Sequence, residues 1–206
     1  NATKRLIHHC VNNNIKLIYA SSGATYGLTE PPNTVGKGER PANIYGYSKL
    51  ACDNLTRQTL TENPNTHIVG LRYFNVYGPR ESHKMETKMS SMVWQLYLQM
   101  NEGNTPKIFK HGQQKRDFVY IKDIVESNII AMDTPSGIYN VATGTPEDFN
   151  KIVEELNKNL KTKLEPEYIN NPHKFYQEFT QADTNNFLPN YKPKYNLEKG
   201  IKDYIE

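Results

Sequence analysis

The chain has 206 residues, 36% hydrophobic and 23% charged, with a formal net charge of +3, which is enough for one large domain or a domain and a half. No run approaches the ~18 apolar residues of a membrane span, no basic-then-apolar leader opens the chain, which reads as cytoplasmic, and the dispersed lysines and arginines exclude the basic patch of a nucleic-acid binder. Cys10 and Cys52 stand apart, and no cluster has metal-ligand spacing, so neither a disulfide framework nor a zinc site is expected.

Leu6, Ile7, Cys10 and Val11 recur at helical spacing and predict a helix over 2–14, ended by Asn12-Asn13-Asn14. Residues 15–19 form an almost continuous apolar strand, the kind buried on both faces of a parallel sheet. A loop bearing Gly and Pro covers 23–43. Asn43 then serves as N-cap for a helix over 44–62, which Asn63-Pro64-Asn65 breaks. Residues 67–74 are the next strand. Helix–strand–helix–strand is the rhythm of a doubly wound α/β sheet, although no Gly-x-Gly-x-x-Gly phosphate loop opens it. Beyond Pro79 the pattern gives an apolar-striped helix over 89–102, in which Trp94 packs, and a short strand at 107–109. A strand at 117–120 then runs into a helix over 122–132, and a further strand covers 138–141. Thr145 caps a helix to about residue 160, with Pro146 in its first turn. A strand at 167–169 and a last helix from Leu197 complete the chain.

Three clusters carry the chemistry. Tyr19-Ala20-Ser21-Ser22-Gly23-Ala24-Thr25-Tyr26-Gly27 sets Ser22 after an apolar strand, at the end where doubly wound sheets hold their ligands. Ser21 and Thr25 compete with it for that role. Tyr45-Gly46-Tyr47-Ser48-Lys49 sets Tyr45 and Lys49 on one helix face, about 6 Å apart at Cβ. A free phenol titrates near ~10 and is a poor base, but an adjacent ammonium favours the phenolate. Tyr45 is thus a candidate general acid/base, whereas Tyr47 has only Ala51 four residues on. The third cluster, Arg72-Tyr73-Phe74-Asn75-Val76-Tyr77-Gly78-Pro79-Arg80, again ends a strand, and Glu81-Ser82-His83-Lys84 follows with Lys84 as a second acid/base. A serine with Tyr-x-x-x-Lys is the minimal set for moving a hydride to or from a nicotinamide.

Together with Lys115-Arg116-Asp117-Phe118-Val119-Tyr120, these segments resemble the extended short-chain dehydrogenase/reductase family, which contains nucleotide-sugar epimerases and dehydratases. Glu81-Ser82-His83-Lys84 and the segment from Phe175 to Asp183 are similar to those of its ADP-heptose 6-epimerase branch. The resemblance covers nearly the whole chain. It implies the C-terminal part of a Rossmann-like doubly wound parallel sheet over 1–79, with about ninety further residues preceding it in a complete enzyme. A smaller mixed α/β substrate domain over 80–206 follows, with 114–133 returning to the first domain. It also implies NADP as cofactor, met by Tyr45, Lys49 and Val76, and an ADP-sugar as substrate. Ser22, Asn75, Gln95, Arg116 and Tyr176 would hold that substrate, and Phe109, Lys110, His111 and Gly112 would border its nucleotide. Catalysis would fall to Ser22, Tyr45, Lys49 and Lys84, in a homo-oligomer serving lipopolysaccharide synthesis by transient oxidation at the heptose C6. The chain departs from the pattern in three places, one of them a loop before Arg116 that is a residue shorter. Residues 85–89 lengthen the loop after Lys84, which makes Lys88 a rival for substrate contact, and Gln95 stands where the branch has a pocket histidine. A 4,6-dehydratase would want an acidic pair beside Ser22, where this chain has Gly23-Ala24.

Overall fold

The computed structural model describes residues 2–84, 89–170 and 177–206. In chain order the elements are α1 (Ala2–Asn12), β1 (Leu17–Ser22), α2 (Ile44–Glu62), β2 (Ile68–Tyr73), β3 (Asn75–Tyr77), α3 (Met92–Asn101) and β4 (Lys107–Phe109). Then come β5 (Lys115–Arg116), β6 (Phe118–Tyr120), α4 (Ile121–Ala131), β7 (Gly137–Val141), β8 (Glu147–Asp148), α5 (Phe149–Leu160), β9 (Glu167–Ile169) and α6 (Leu197–Ile205).

β1, β2 and β7 form a parallel sheet in the order β1-β2-β7. Its middle strand is buried from Ile68 to Arg72, as an apolar strand covered on both faces should be. Alternation sorts its side chains: Ile68 packs with Ile7, Cys10 and Leu17 under α1, while Val69 and Leu71 pack with Ile124, Ala131 and Val141 on the other face. Gly70 has a steric reason, because a Cβ there would lie 2.5 Å from the Tyr19 hydroxyl on the adjacent strand.

Phe74 marks a change of partner. Its N–H still bonds to Val141 of β7 at 3.2 Å, but the N–H of Asn75 bonds to Asp117 at 3.0 Å, and β3 then pairs with β6. The ladder splits there, so Asn75 and Val76 stand at the mouth of the gap. The remaining pairs are parallel β4–β9 and antiparallel β5–β8. A second apolar core, with Val93, Leu96, Ile108, Phe118, Ile152 and Leu156, lies under α3, α5 and α6.

The predicted helix over 44–62 and its Asn43 cap are found as expected, with Asn43 Oδ1 accepting from the Gly46 N–H at 2.8 Å. Trp94 packs as expected, its ring stacked on Tyr97 at 5.6 Å and edge-on to Tyr204. The boundaries elsewhere shift. β1 extends through Ser22 because Ser21 and Ser22 continue the ladder opposite Arg72 and Tyr73. α3 starts at Met92, where Ser91 caps it, and Met89 is exposed outside it. Thr145 is not the cap of α5. Its hydroxyl bonds to Thr143, Glu147–Asp148 pairs with β5, and Asp148 caps the helix by accepting from the Lys151 N–H at 2.9 Å. No helix among the described residues is long and apolar enough to cross a membrane.

Candidate active site

The three hydroxyls at the end of β1 differ in their partners. Ser21 is 2% exposed and donates to Asp53 on α2 at 3.0 Å. Thr25 is fully buried and donates to the Ser22 carbonyl at 2.9 Å. Ser22 alone of the three is only half-buried. Its Oγ accepts from the Ala24 N–H at 3.1 Å and caps the 3-10 turn Gly23–Tyr26, which leaves its own proton available to a ligand.

The first turn of α2 presses on that 3-10 turn. A Cβ on Gly46 would lie 2.5 Å from the Ala24 carbonyl oxygen, so glycine permits the contact. Tyr45 sits beside this contact with 55% of its surface exposed. One turn on, Lys49 Nζ donates to the Ala20 carbonyl at 2.8 Å and lies 5.7 Å from the centre of the Tyr45 ring. Tyr47 is 68% exposed.

Beneath this face lies a charged network that the sequence reading missed. Asp53 and Arg72 are fully buried, and Arg72 Nε donates to Asp53 at 2.8 Å. Arg72 Nη2 is 2.7 Å from both Asp53 and Glu39, and its guanidinium lies 4.8 Å from the centre of the Tyr26 ring. Tyr19 donates to Asp53 at 2.8 Å, and burial followed by the Asp53 charge pushes its phenol up, keeping the proton in that bond. The one sequence signal for Asp53 was its position four residues beyond Lys49.

The β3 gap opens on a cavity of about 350 Å³ whose walls include Asn75, Val76, Lys84, Gln95 and Arg116. Five predicted residues thus meet in one place. Asn75 Oδ1 accepts from Thr180 at 3.2 Å, and Gln95 Nε2 donates to the Ser90 carbonyl at 2.9 Å. Lys84 closes a short 3-10 turn, Ser82–Lys84, behind Glu81. The buried Glu81 carboxylate accepts from the Ser91 N–H and hydroxyl, each at 2.7 Å, and so ties that turn to the start of α3.

Arg116, 7% exposed, donates to the carbonyls of Lys115 and Gln177 and lies over the Phe149 ring. It also lines a second cavity of about 330 Å³, with Ala24, Gly27, Asn43 and Gln177, beside the Ser22 turn. Arg116 therefore lines both spaces. A third cavity of about 520 Å³ is lined by Lys110, His111, Gln114 and Glu178, with Lys110 and Glu178 paired at 2.6 Å. Lys110, His111 and Gly112 take φ values of 43°, 62° and 70°. For the first two this left-handed conformation costs roughly 1–2 kcal/mol each, a strain that concentrates at functional sites. Phe109 is half-buried at the end of β4. Lys88 and Tyr176 lie outside the described residues.

The sequence profile described as "NAD dependent epimerase/dehydratase family" matches residues 1–142. Among solved structures, the chain is similar to ADP-L-glycero-D-manno-heptose-6-epimerase from Helicobacter pylori, with 42% identity and a TM-score of 0.85 over 97% of this chain and 61% of that one. It is also similar to UDP-N-acetylglucosamine 4-epimerase from Methanobrevibacter ruminantium, solved with UDP-N-acetylmuramic acid, at 27% identity and TM-score 0.89 over 99% and 66%. UDP-glucuronic acid 4-epimerase from Bacillus cereus, solved with UDP-glucuronic acid and NAD, matches at 26% identity and TM-score 0.82 over 98% and 65%. The chain spans less than two thirds of the length of each of these three proteins.

Proposed function

Because this chain belongs to the NAD dependent epimerase/dehydratase family, we propose that it carries the proton-transfer and substrate-binding groups of a nucleotide-sugar epimerase that inverts C6 of ADP-D-glycero-D-manno-heptose with NADP. The observation that carries this reading is the convergence, at the carboxyl end of parallel β1 and β2, of the half-buried Ser22 with the Tyr45–Lys49 pair on α2. The 42% identity to the Helicobacter pylori enzyme supports the heptose. The likeness to 4-epimerases of UDP-sugars supports a second reading, inversion at C4 of a UDP-hexose.

The donor set fits a nicotinamide nucleotide: an ammonium suits ribose hydroxyls, and a phenol and an alcohol suit a sugar hydroxyl. When bound, the nicotinamide supplies reversible hydride uptake and return. In this reading Ser22 donates to the sugar oxygen through the proton it retains. Tyr45 takes the proton of the hydroxyl being oxidised and later returns one. Lys49 Nζ, 5.7 Å from the centre of the ring, stands beside the group that moves the proton. Inversion presents the oxygen in two orientations, and Lys84, on the wall of the neighbouring cavity, serves the second. Asn75 orients the sugar, Arg116 holds the diphosphate between the two cavities, and the strained 110–112 turn borders the nucleotide. The reaction would be a cytoplasmic step in making a bacterial surface polysaccharide.

The test is to incubate the full-length protein with ADP-D-glycero-D-manno-heptose and NADP and follow the C6 configuration by NMR. The L-glycero epimer should accumulate, and Tyr45→Phe should slow it by roughly 10²–10⁴-fold with binding retained. Turnover of UDP-hexoses instead would establish the second reading, and a Tyr45→Phe protein of normal rate would remove the assignment of Tyr45.

A further inference from the structure

We propose that Asp53 is a positioning residue: by accepting hydrogen bonds from Tyr19 and Ser21 it fixes the end of β1, and with it Ser22, against the helix face that bears Tyr45 and Lys49. The proposal rests on the epimerase reading for the role of those three residues.

Tyr45, Lys49 and Asp53 follow one another at intervals of four and share one face of α2. That face is tied to three consecutive residues of β1. Tyr19 donates to Asp53 Oδ1 at 2.8 Å, the Ala20 carbonyl accepts from Lys49 Nζ at 2.8 Å, and Ser21 donates to Asp53 Oδ2 at 3.0 Å. The next residue is Ser22. Arg72, opposite Ser21 in the register, holds the same carboxylate from β2.

Apolar packing alone does not set this register, although the partly buried Leu55 and Leu60 of α2 pack against Ile7, Cys10, Leu17 and Ile68. The buried positions of α2 are Gly46, Asp53, Thr56 and Thr59, with no large apolar side chain among them. Dispersion and hydrophobic contact are non-directional and leave a helix free to slide or roll, whereas hydrogen bonds demand a distance and an angle. A buried ion pair is itself weak evidence for stability. A gain in position accounts for the cost of burying Asp53 and Arg72 better than a gain in stability does. A site that needs Ser22 and Tyr45 on one substrate oxygen tolerates only about 0.5 Å of error.

The test removes the two donors and leaves both charges paired. Tyr19→Phe/Ser21→Ala deletes the hydroxyls that reach Asp53 while keeping Arg72–Asp53 and Lys49–Ala20. At temperatures well below the thermal midpoint of the variant, positioning predicts a KM close to wild type with kcat lowered by roughly ten- to a hundredfold. Amide exchange should rise at residues 20–26 and 44–49 while 68–71 stay protected. Unchanged kcat and unchanged local exchange would overturn the proposal. So would a loss of activity that merely follows a lowered midpoint, with exchange rising throughout the sheet. If the wild type turns over neither ADP-heptose nor UDP-hexoses, the epimerase reading fails by itself, and the exchange comparison still decides whether Asp53 clamps β1 to α2.

Discussion

Asp117 stands just before β6 with no exposed surface, and four donors converge on its carboxylate. The Thr143 N–H and hydroxyl each lie at 2.7 Å, the Gly144 N–H at 3.0 Å and the Ala182 N–H at 3.1 Å. Its own carbonyl accepts from Asn75, and its N–H donates to Thr180. Burial pushes the carboxyl up, and the four donors pull against that shift without cancelling it. The residue joins the β3 gap, the turn after β7 and the segment beyond residue 177, the three pieces around Arg116. An amide at this position must turn an NH₂ toward other N–H groups, which leaves buried donors unsatisfied. Asp117→Asn should therefore cost about 2–4 kcal/mol in urea denaturation. A loss below about 0.5 kcal/mol, the size of an ordinary surface change, would show that the carboxylate is not the hub described.

At the scale of elements, the start of α5 separates two candidate caps. Spacing makes Thr145 the natural choice, with Pro146 behind it and Asp148 at the third position. The structure spends Glu147–Asp148 on a pairing with β5 and begins the helix at Phe149, capped by Asp148. Asp148→Ala should cost about 1 kcal/mol and Thr145→Ala only a few tenths, read as the shift in the denaturation midpoint. Equal costs would return the cap to Thr145. The misreading is typical of what was hidden in the sequence. Helix α2 was legible to the residue, because Asn43 and Asn63-Pro64-Asn65 act locally and the chain itself carries both signals. The ends of β1 and α5 were not, because each depends on a partner far away in sequence: Arg72 and Tyr73 for β1, and Lys115 and Arg116 for β8. The candidate site divides in the same way. Ser22, Tyr45 and Lys49 could be read from spacing, whereas Asp53 needs its three long-range partners to be visible before it has any meaning.

For the whole molecule, the joints between elements are made largely by buried carboxylates, and these do not respond to acid in one direction. Asp117 and Asp123 are raised by burial, so the stability they contribute is present at low pH and is lost as pH rises through their folded values. Glu39 is the opposite case. Burial alone would raise it, but Arg57, at 2.8 and 2.9 Å, together with Arg72 and the Gly36 N–H, holds it down at about 2 against an ordinary 4.5. A depressed carboxyl contributes stability that is full above the unfolded value and is lost as pH falls toward the folded one. Glu39 pins the loop between β1 and α2 to α2 through Arg57 and to the middle of the sheet through Arg72. Removing its charge also leaves Arg72 with Asp53 as its remaining carboxylate partner among the described residues. Glu39→Gln should thus destabilise the protein by about 2–3 kcal/mol at neutral pH. Because wild type and variant share every other carboxylate, their difference isolates this one. Thermal melts of the two proteins between pH 7 and 2.5 should show a gap that is constant above pH ~5 and narrows steadily below pH ~4.5. A gap that keeps its width down to pH ~2.5 would mean that the Glu39 side chain acts there by shape and hydrogen bonding, and that its charge contributes nothing to holding the loop.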